Sequence, residues 1–274
     1  MSAISRASNP DPARPVTVPD FLAAKAQGRR LVILTAYDYT LARLLDAAGV
    51  DSVLVGDSLG MVVQGATDCL AVTLDEMIYH TRLAARGVKR SLLIADMPFM
   101  SFQVSPQQAV VSAGRLVKEG GAHAVKLEGG VRTAPAIEAI TAADIAVMGH
   151  IGLTPQSVRR LGGFRVQRNE AKLLEDARAV EQAGAFAIVL ECMPAELASK
   201  ITRTLSIPTI GIGAGAGCDG QVLVTYDILG MFDDLRPRFA KRYADLGQAI
   251  TQAVAAYCQE VRGGQFPGKE HEFR

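Results

Sequence analysis

Short apolar runs alternate with segments of helical periodicity along most of the chain. Continuous apolar runs are typical of parallel strands that are buried on both faces, and their alternation with helices predicts βα units. The runs predict eight strands, at 31–36, 52–56, 91–96, 123–128, 145–150, 185–191, 208–213 and 221–226. The helical patterns lie at 39–48, 74–86, 106–120, 133–142, 171–183, 195–204 and 240–261.

Eight such units predict an α/β fold of the (β/α)₈ TIM barrel type in one domain, residues 17–274. A helix from Phe21 to Gln27 precedes the first strand, with Asp20 as its candidate cap. Residues 1–16 mix Ser, Pro, Arg and Asp, so we expect a loosely ordered lead-in without the apolar core of a signal peptide. No Pro/Ser-rich linker interrupts residues 17–274, which favours one domain over two.

An open doubly wound sheet is the alternative architecture. Its usual fingerprint is GxGxxG between the first strand and the next helix. Here the first strand ends at Thr35-Ala36-Tyr37-Asp38, which contains no glycine. A GxGxxG match occurs at 215–220, but an apolar run follows it instead of a helix, so we interpret it as a chance match.

Composition narrows the class of protein. The chain has 274 residues, of which 49% are hydrophobic, so it can bury a sizeable core. Its net charge of +1, without a basic block, indicates neither nucleic acid nor a membrane surface as a partner. No apolar run approaches the roughly 20 residues of a membrane span. Four widely spaced cysteines form no CxxC pair, which fits a reducing, cytoplasmic location.

Side chains that can do chemistry stand where five of the predicted strands end. They are Asp57 with Ser58, Asp96, Lys126 with Glu128, His150, and Glu191. Active sites of parallel barrels are built at the carboxyl ends of their strands. The pattern therefore predicts an enzyme and places its pocket at this end of the barrel.

Asp57 and Asp96 end neighbouring strands in this scheme. Such strands lie about 4.8 Å apart, so the two carboxylates should meet at one rim and repel each other unless a cation lies between them. Mg²⁺ prefers oxygen ligands and often takes only one or two protein carboxylates. Each aspartate could instead cap the following helix, but the pair together favours a metal site.

Lys126 and Glu128 alternate with Val125 and Leu127 and therefore point to the same side of their strand. A plain ion pair between the two is one interpretation. The functional one has Lys126 as a cation for a substrate carboxylate or enolate, with Glu128 in the metal shell. A lysine on a barrel strand could also form a Schiff base.

His150 and Glu191 end the next two strands. Gly149 and Gly152 flank His150, and because they lack side chains the backbone and a ligand can approach closely there. A lone histidine nevertheless often has a purely structural role. Glu191, at the pocket mouth, suits a general base. Cys192 has no activating partner in the sequence, so we expect it to serve packing.

These residues lie in motifs that resemble those of the ketopantoate hydroxymethyltransferase family. The similarity follows the family's order from about residue 20 to residue 270, and the combination is specific although no single piece would be. The matching segments are Thr35–Asp38, Val55–Met61, Ala95–Met100, Val125–Gly130, Gly149–Ser157, Leu190–Pro194, Ile210–Gly215 and Phe266–His271. The segment after Phe164-Arg165-Val166-Gln167 departs from the family pattern, being shorter and poorer in glycine.

The resemblance implies a Mg²⁺-dependent (β/α)₈ enzyme of pantothenate and coenzyme A biosynthesis. Such an enzyme transfers a hydroxymethyl group from 5,10-methylenetetrahydrofolate to 3-methyl-2-oxobutanoate through a stabilised enolate, giving ketopantoate. It also implies a cytoplasmic homodecamer. The matched positions imply a role for each site residue. Metal binding falls to Asp57, Asp96 and Glu128, and substrate contacts to Asp57, Ser58, Asp96 and Lys126. The resemblance further implies proton abstraction by Glu191 and a pocket position for His150.

Three other functions remain as alternatives. A Mg²⁺-dependent lyase of the phosphoenolpyruvate mutase and isocitrate lyase type would use a similar barrel, but the Lys-Lys-Cys-Gly-His-type loop of the lyase is absent from the sequence. A Schiff-base aldolase would use Lys126. A non-catalytic barrel would need a broken acidic set, whereas all four rim carboxylates are present.

Overall fold

Eight parallel strands close into a barrel in the computed structural model, which describes residues 14–273. Each strand pairs with its successor in sequence, and the last pairs with the first. The strands are β1 Leu31–Thr35, β2 Ser52–Val55, β3 Leu92–Asp96, β4 Ala124–Glu128, β5 Val147–Gly152, β6 Ala187–Glu191, β7 Thr209–Ile212 and β8 Gly220–Leu223. The predicted (β/α)₈ barrel is confirmed.

Helices alternate with most of the strands along the chain. The α-helices are α1 Val18–Ala26, α2 Tyr39–Ala48, α3 Leu59–Val62, α4 Leu74–Gly87, α5 Pro106–Lys118, α6 Ala134–Thr141, α7 Val158–Leu161, α8 Glu170–Gln182, α9 Ala195–Thr204, α10 Thr225–Leu229 and α11 Leu246–Arg262. Short 3₁₀ helices lie at Val131–Thr133, Pro155–Ser157 and Lys269–His271.

The chain divides into two compact units at the junction of Leu223 and Val224. The first unit contains the whole barrel with α1 to α9. The second contains α10 and α11. The single domain 17–274 stays a prediction. Of the predicted lead-in 1–16, residues 1–13 lie outside the described residues, while Val16 is buried and donates its backbone N–H to the Arg90 carbonyl at 2.7 Å.

Apolar side chains from all eight strands fill the barrel interior. Ile33, Leu54, Ile94 and Met148 belong to one buried cluster with Phe21 of α1. Phe21 is fully buried and meets the ring of Phe186 edge to face, with 5.5 Å between the centroids. Helix α1 therefore closes the amino-terminal end of the barrel and leaves the carboxyl-terminal end for the site.

Strand register brings the chemistry-bearing residues to one level. Asp96 is paired with Lys126, Glu128 with His150, and Gly152 with Glu191. Because neighbouring strands are parallel, these positions form a row along the carboxyl-terminal rim. The rim described by the sequence pattern is thus a continuous surface from β2 to β6.

Several of the predicted helices and strands begin or end at other residues in the structure. Helix α11 begins at Leu246, six residues after the predicted start, because 240–245 are irregular. The last strand ends at Leu223, and the predicted continuation to 226 turns into α10. Asp20 is not the cap of α1; it is the third helical residue, and its carboxylate accepts hydrogen bonds from the N–H and hydroxyl of Thr17 at 2.7 and 2.6 Å.

No helix within residues 14–273 is long and apolar enough to span a membrane. The absence of a membrane partner stays a prediction beyond that finding.

Candidate active site

The carboxyl-terminal rim gathers the predicted site residues into one buried polar cluster. Asp57 follows β2, Asp96 ends β3, Lys126 and Glu128 lie on β4, and His150 lies on β5; all five are almost fully buried. The side chain of Glu191, at the end of β6, is 14% exposed. So many ionisable groups in an apolar barrel are costly unless they compensate one another, which makes this cluster the candidate functional site.

The two aspartates differ in how they are compensated. Asp57 is fully buried near Asp96 and Glu128, and burial together with these carboxylates raises its pKa well above the ordinary range. Asp96 forms an ion pair with Lys126 at 2.7 Å through Oδ2, while its Oδ1 is buried without a hydrogen-bond partner among the described residues. The aspartate pair is therefore short of positive charge, and Asp57 holds its proton more tightly than a free aspartate does.

Lys126 is held as a cation. Burial opposes its charge, but Asp96, Glu128 and Asp57 outweigh that and raise its pKa above the ordinary value. Its Nζ lies 2.7 Å from Asp96 Oδ2 and 3.3 Å from His150 Nδ1. The ion pair with Glu128, which the sequence analysis left open as one interpretation, is not the contact observed, because the nearest carboxylate comes from β3. A lysine kept protonated in this way suits charge compensation better than nucleophilic attack.

His150 connects the lysine side of the cluster with Glu191. Its Nε2 lies 3.1 Å from Glu191 Oε2, and its Nδ1 lies 3.5 Å from Glu128 Oε1. Burial and Lys126 lower the pKa of His150, but the two glutamates outweigh them and raise it to about 9. With that pKa the imidazole is protonated at neutral pH, and it lies between the Glu191 and Glu128 carboxylates.

Gln156, in the 3₁₀ helix after β5, is a site residue that the sequence analysis missed. Its Nε2 donates to Asp57 Oδ2 at 2.8 Å and to the Met97 carbonyl at 2.9 Å. Its backbone N–H donates to Glu128 Oε2 at 3.0 Å, and its Oε1 accepts from Gln103 at 3.1 Å. One residue thus fixes two rim carboxylates; no spacing in the sequence points to it, because the contact spans 99 residues.

Ser58 lies beside this cluster, half-buried after β2. Its Oγ lies 2.9 Å from the hydroxyl of Tyr37, which follows β1, and either group can donate the hydrogen bond. The buried Tyr37 therefore sets the position of the Ser58 hydroxyl, and both come from matched motifs.

The glycines flanking His150 allow close packing, while the approach of a ligand there stays a prediction. A Cβ at Gly149 would lie 2.3 Å from Val180 of α8. A Cβ at Gly152 would lie 2.2 Å from the Glu191 carbonyl, and Gly152 has a φ of +98°. Both glycines let neighbouring elements approach β5, which keeps His150 next to Glu191.

Cys192 follows Glu191 and behaves as the packing residue that the sequence predicts. Burial, with the charge of Glu191, raises its thiol pKa to about 12. A thiol that stays protonated is a poor nucleophile.

The donor set at the rim fits a hard divalent cation. Asp57 and Asp96 supply oxygen ligands, and the buried, unpartnered Oδ1 of Asp96 is an acceptor that a cation would satisfy. Among residues 14–273 no group of three or more His, Cys, Asp or Glu side chains is arranged to hold a metal ion, so the fit rests on the aspartate pair. Two carboxylates with open positions for water and substrate are the arrangement that Mg²⁺ favours.

Sequence comparison identifies close relatives over nearly the whole chain. The family model described as ketopantoate hydroxymethyltransferase matches residues 15–269. A 3-methyl-2-oxobutanoate hydroxymethyltransferase from Clostridium novyi (strain NT) is 58% identical over 262 residues, which cover 94% of this chain and 95% of that protein. The protein of the same name from Pelobacter propionicus is 57% identical over 266 residues, covering 96% and 99% of the two chains.

Solved structures with a similar fold are more distant in sequence. A phosphonopyruvate hydrolase in complex with oxalate and Mg²⁺ superposes with a TM-score of 0.61 at 15% identity, covering 92% of this chain and 89% of that one. A 2,3-dimethylmalate lyase of the phosphoenolpyruvate mutase/isocitrate lyase superfamily gives a TM-score of 0.58 at 18% identity, with coverages of 94% and 91%. At these identities the likeness shows the barrel fold alone.

Proposed function

The chain belongs to the ketopantoate hydroxymethyltransferase family, and from that premise we propose how its rim cluster carries the reaction. The protein is a 3-methyl-2-oxobutanoate hydroxymethyltransferase, a transferase of pantothenate biosynthesis. The proposal concerns the metal, the one-carbon donor and the role of each residue. The observation that carries it is the buried set of four carboxylates around Lys126 and His150 at the barrel rim.

Asp57 and Asp96 hold one Mg²⁺, and Glu128 is a further acidic group of the same site. When bound, the ion supplies a Lewis acid that polarises the 2-oxo group and stabilises negative charge on its oxygen. Gln156 keeps the Asp57 and Glu128 carboxylates in place through its amide and its backbone N–H.

Ser58 and Lys126 hold the oxo acid. Lys126 is a fixed cation, which suits a substrate carboxylate and the charge that develops on the 2-oxo oxygen. The Ser58 hydroxyl, oriented by Tyr37, supplies a hydrogen bond. Because Lys126 is already paired with Asp96 and protonated, a Schiff base is not part of the proposal.

Glu191 takes the C3 proton of 3-methyl-2-oxobutanoate. It is the rim carboxylate with the greatest side-chain exposure, and His150 stands behind it at 3.1 Å, so the carboxylate is oriented while one face stays open. The C3 carbanion then forms a bond to the one-carbon unit of 5,10-methylenetetrahydrofolate. Water supplies the hydroxyl of the product, and tetrahydrofolate leaves.

A lyase of the phosphoenolpyruvate mutase and isocitrate lyase type is the second candidate, supported by the fold of the solved relatives. One experiment separates the two activities. The protein is incubated with 3-methyl-2-oxobutanoate, Mg²⁺ and methylenetetrahydrofolate, and ketopantoate is measured by mass spectrometry. Formation of ketopantoate only when all three are present supports the proposal. Its absence, with cleavage of a 2-oxo-acid substrate instead, contradicts it.

We also propose a cytoplasmic homo-oligomer, a homodecamer by family resemblance. The second unit carries an apolar stripe at helical spacing on α11, and its members are between 36% and 55% exposed in the single chain. The stripe consists of Leu246, Ile250, Val254, Tyr257 and Val261. Light scattering on the purified protein measures the assembly directly.

A further inference from the structure

The residue that follows the proposed base has an unusual backbone conformation. Cys192 has a φ of +47°, in the left-handed region that a residue with a Cβ adopts only at a cost. Within residues 14–273 two other non-glycine residues have a positive φ, Met100 and Asp144. Such strain persists only where surrounding contacts hold the backbone, and it is frequent at functional sites. The contacts that hold Cys192 therefore indicate what the strained conformation serves.

Three backbone hydrogen bonds hold the segment from Glu191 to Cys192, and each comes from a different part of the rim. The Glu191 carbonyl accepts from the Leu153 N–H, after β5, at 2.9 Å. The Cys192 N–H donates to the carbonyl of Ile212, at the end of β7, at 2.9 Å. The Cys192 carbonyl accepts from the N–H of Gln167, in the loop between α7 and α8, at 2.8 Å. The first two bonds fix the peptide group that joins Glu191 to Cys192, and the third fixes the peptide group after it.

The chain on both sides of this segment is held in place. Leu190 and Met193 are buried, and α9 begins two residues after Met193. If Cys192 returned to a negative φ, the peptide group between Glu191 and Cys192 would therefore have to rotate, because it is the part of the chain that can absorb the change. That rotation would break the two hydrogen bonds of this peptide group. It would also move the Glu191 carboxylate away from His150, whose Nε2 lies 3.1 Å from it.

The contact between Gln167 and Cys192 uses only backbone atoms. The side-chain amide of Gln167 donates instead to the Arg165 carbonyl, within the same loop, at 2.8 Å. The thiol of Cys192 takes no part in the three hydrogen bonds either. Any effect of this contact on the base must therefore pass through the conformation of the main chain.

We propose that the hydrogen bond from the Gln167 N–H keeps Cys192 in its left-handed conformation and thereby positions Glu191 for proton abstraction. Gln167 and Cys192 are positioning residues, and Glu191 remains the group that touches the substrate. The inference rests on the proposed function, since it takes Glu191 as the base.

Two substitutions of Gln167 separate its backbone from its side chain. Gln167→Pro removes the N–H that donates to Cys192, and Gln167→Ala keeps it. Exchange of the C3 proton of 3-methyl-2-oxobutanoate with D₂O, followed by NMR with Mg²⁺ and saturating oxo acid, reports on Glu191 and needs no folate. We expect Gln167→Pro to exchange at least about tenfold more slowly than Gln167→Ala, because misplacing a reacting group by about 1 Å can cost about a hundredfold in rate. Circular dichroism verifies that both proteins are folded.

Substitutions of Cys192 distinguish positioning from a general loss of structure. Glycine has no Cβ and adopts the left-handed conformation freely, whereas alanine keeps the Cβ that makes it costly. In the Gln167→Pro protein, Cys192→Gly should therefore restore most of the exchange rate, and Cys192→Ala should not. With Gln167 intact, Cys192→Val should exchange more slowly than Cys192→Ala, because a β-branched residue tolerates a positive φ least. This second pair tests the inference even if Gln167→Pro does not fold.

Several results would overturn the inference, and they differ from a failure of the proposed function. Suppose that Glu191→Gln exchanges slowly, as the proposed base requires. A folded Gln167→Pro protein that exchanges as fast as Gln167→Ala would then show that this bond does not position Glu191. Equal recovery by Cys192→Gly and Cys192→Ala, or equal rates for Cys192→Val and Cys192→Ala, would show that backbone strain is not involved. If Glu191→Gln itself exchanges at the wild-type rate, the proposed base is wrong and the inference with it.

Discussion

Gln156 offers the sharpest test of the proposed metal site, because its side chain is a neutral group that supports a charged one. Replacing Gln156 by Leu removes the amide that donates to Asp57 Oδ2 and to the Met97 carbonyl. The backbone N–H to Glu128 remains, because it does not depend on the side chain. The substitution therefore perturbs the Asp57 carboxylate and leaves the hydrogen bond to Glu128 in place.

The size of the effect follows from the contact that is lost. A hydrogen bond to a charged group contributes about 1.5–3 kcal/mol. Burial and neighbouring carboxylates already favour the protonated form of Asp57, and the Gln156 amide counteracts them. Without the amide, a cation at Asp57 competes with a more tightly held proton. Because about 1.4 kcal/mol corresponds to a factor of ten, Mg²⁺ affinity should fall by roughly ten- to a hundredfold.

Titration calorimetry with Mg²⁺ measures this loss, and circular dichroism on the same samples checks that the barrel is folded. Gln103→Ala is the matched control: it removes the bond to Gln156 Oε1 at 3.1 Å and leaves the Asp57 contact intact. We expect it to lose less Mg²⁺ affinity than Gln156→Leu. A folded Gln156→Leu protein with wild-type Mg²⁺ affinity would refute the reasoning, and so would equal losses in the two variants.

Four further predictions concern the same rim and one structural contact. Asp57→Ala and Asp96→Ala should each lose most Mg²⁺ affinity in calorimetry, because each removes a carboxylate of a two-carboxylate site; wild-type binding in both would contradict the assignment. Borohydride treatment with 3-methyl-2-oxobutanoate should leave the protein mass unchanged, since Lys126 is held as a cation; a stable adduct on Lys126 would indicate a Schiff base. Glu191→Gln should still bind the oxo acid but exchange its C3 proton in D₂O about 10²–10⁴ times more slowly by NMR, and exchange at the wild-type rate would place the base elsewhere. Burial opposes ionisation of Asp46, but hydrogen bonds from the backbone N–H groups of residues 89–91 outweigh it and lower the pKa of Asp46. The stabilisation that Asp46 provides is therefore full above the ordinary pKa of 3.8 and is lost as pH falls through the lowered pKa. Urea titrations of Asp46→Ala should show a lower free energy of unfolding than wild type, and the difference should narrow toward acid pH.

The barrel and most of its rim could be predicted because local rules agree there. Apolar runs such as Ser52–Val55 and Leu92–Asp96 are buried on both faces, as parallel strands require, and their polar ends mark the rim. Side-chain alternation correctly placed Lys126 and Glu128 on one side of β4. Both signals depend only on residues within one strand, so they can be seen in a single sequence.

The contacts that assemble the site operate between elements, and no local rule carries them. Alternation predicted that Lys126 and Glu128 share a side, but the register of β3 against β4 decides that Lys126 pairs with Asp96. Gln156 reaches Asp57 from a loop after β5, and nothing in its own neighbourhood distinguishes it from a surface amide. Predictions of helix ends were wrong for a related reason, because packing overrides local helix propensity. Residues 240–245, predicted to be helical, are irregular in the structure and precede α11.

Charge balance at the rim explains why these groups occur together. Four carboxylates surround two cations: Lys126 pairs with Asp96, and His150 lies between Glu128 and Glu191. Two negative charges remain, and without a counterion their repulsion is relieved by keeping a proton on Asp57, whose pKa is raised. A divalent cation would balance them in full. The cluster therefore has the charge that a Mg²⁺ ion requires, and Glu191, the proposed base, lies 3.1 Å from His150 beside it.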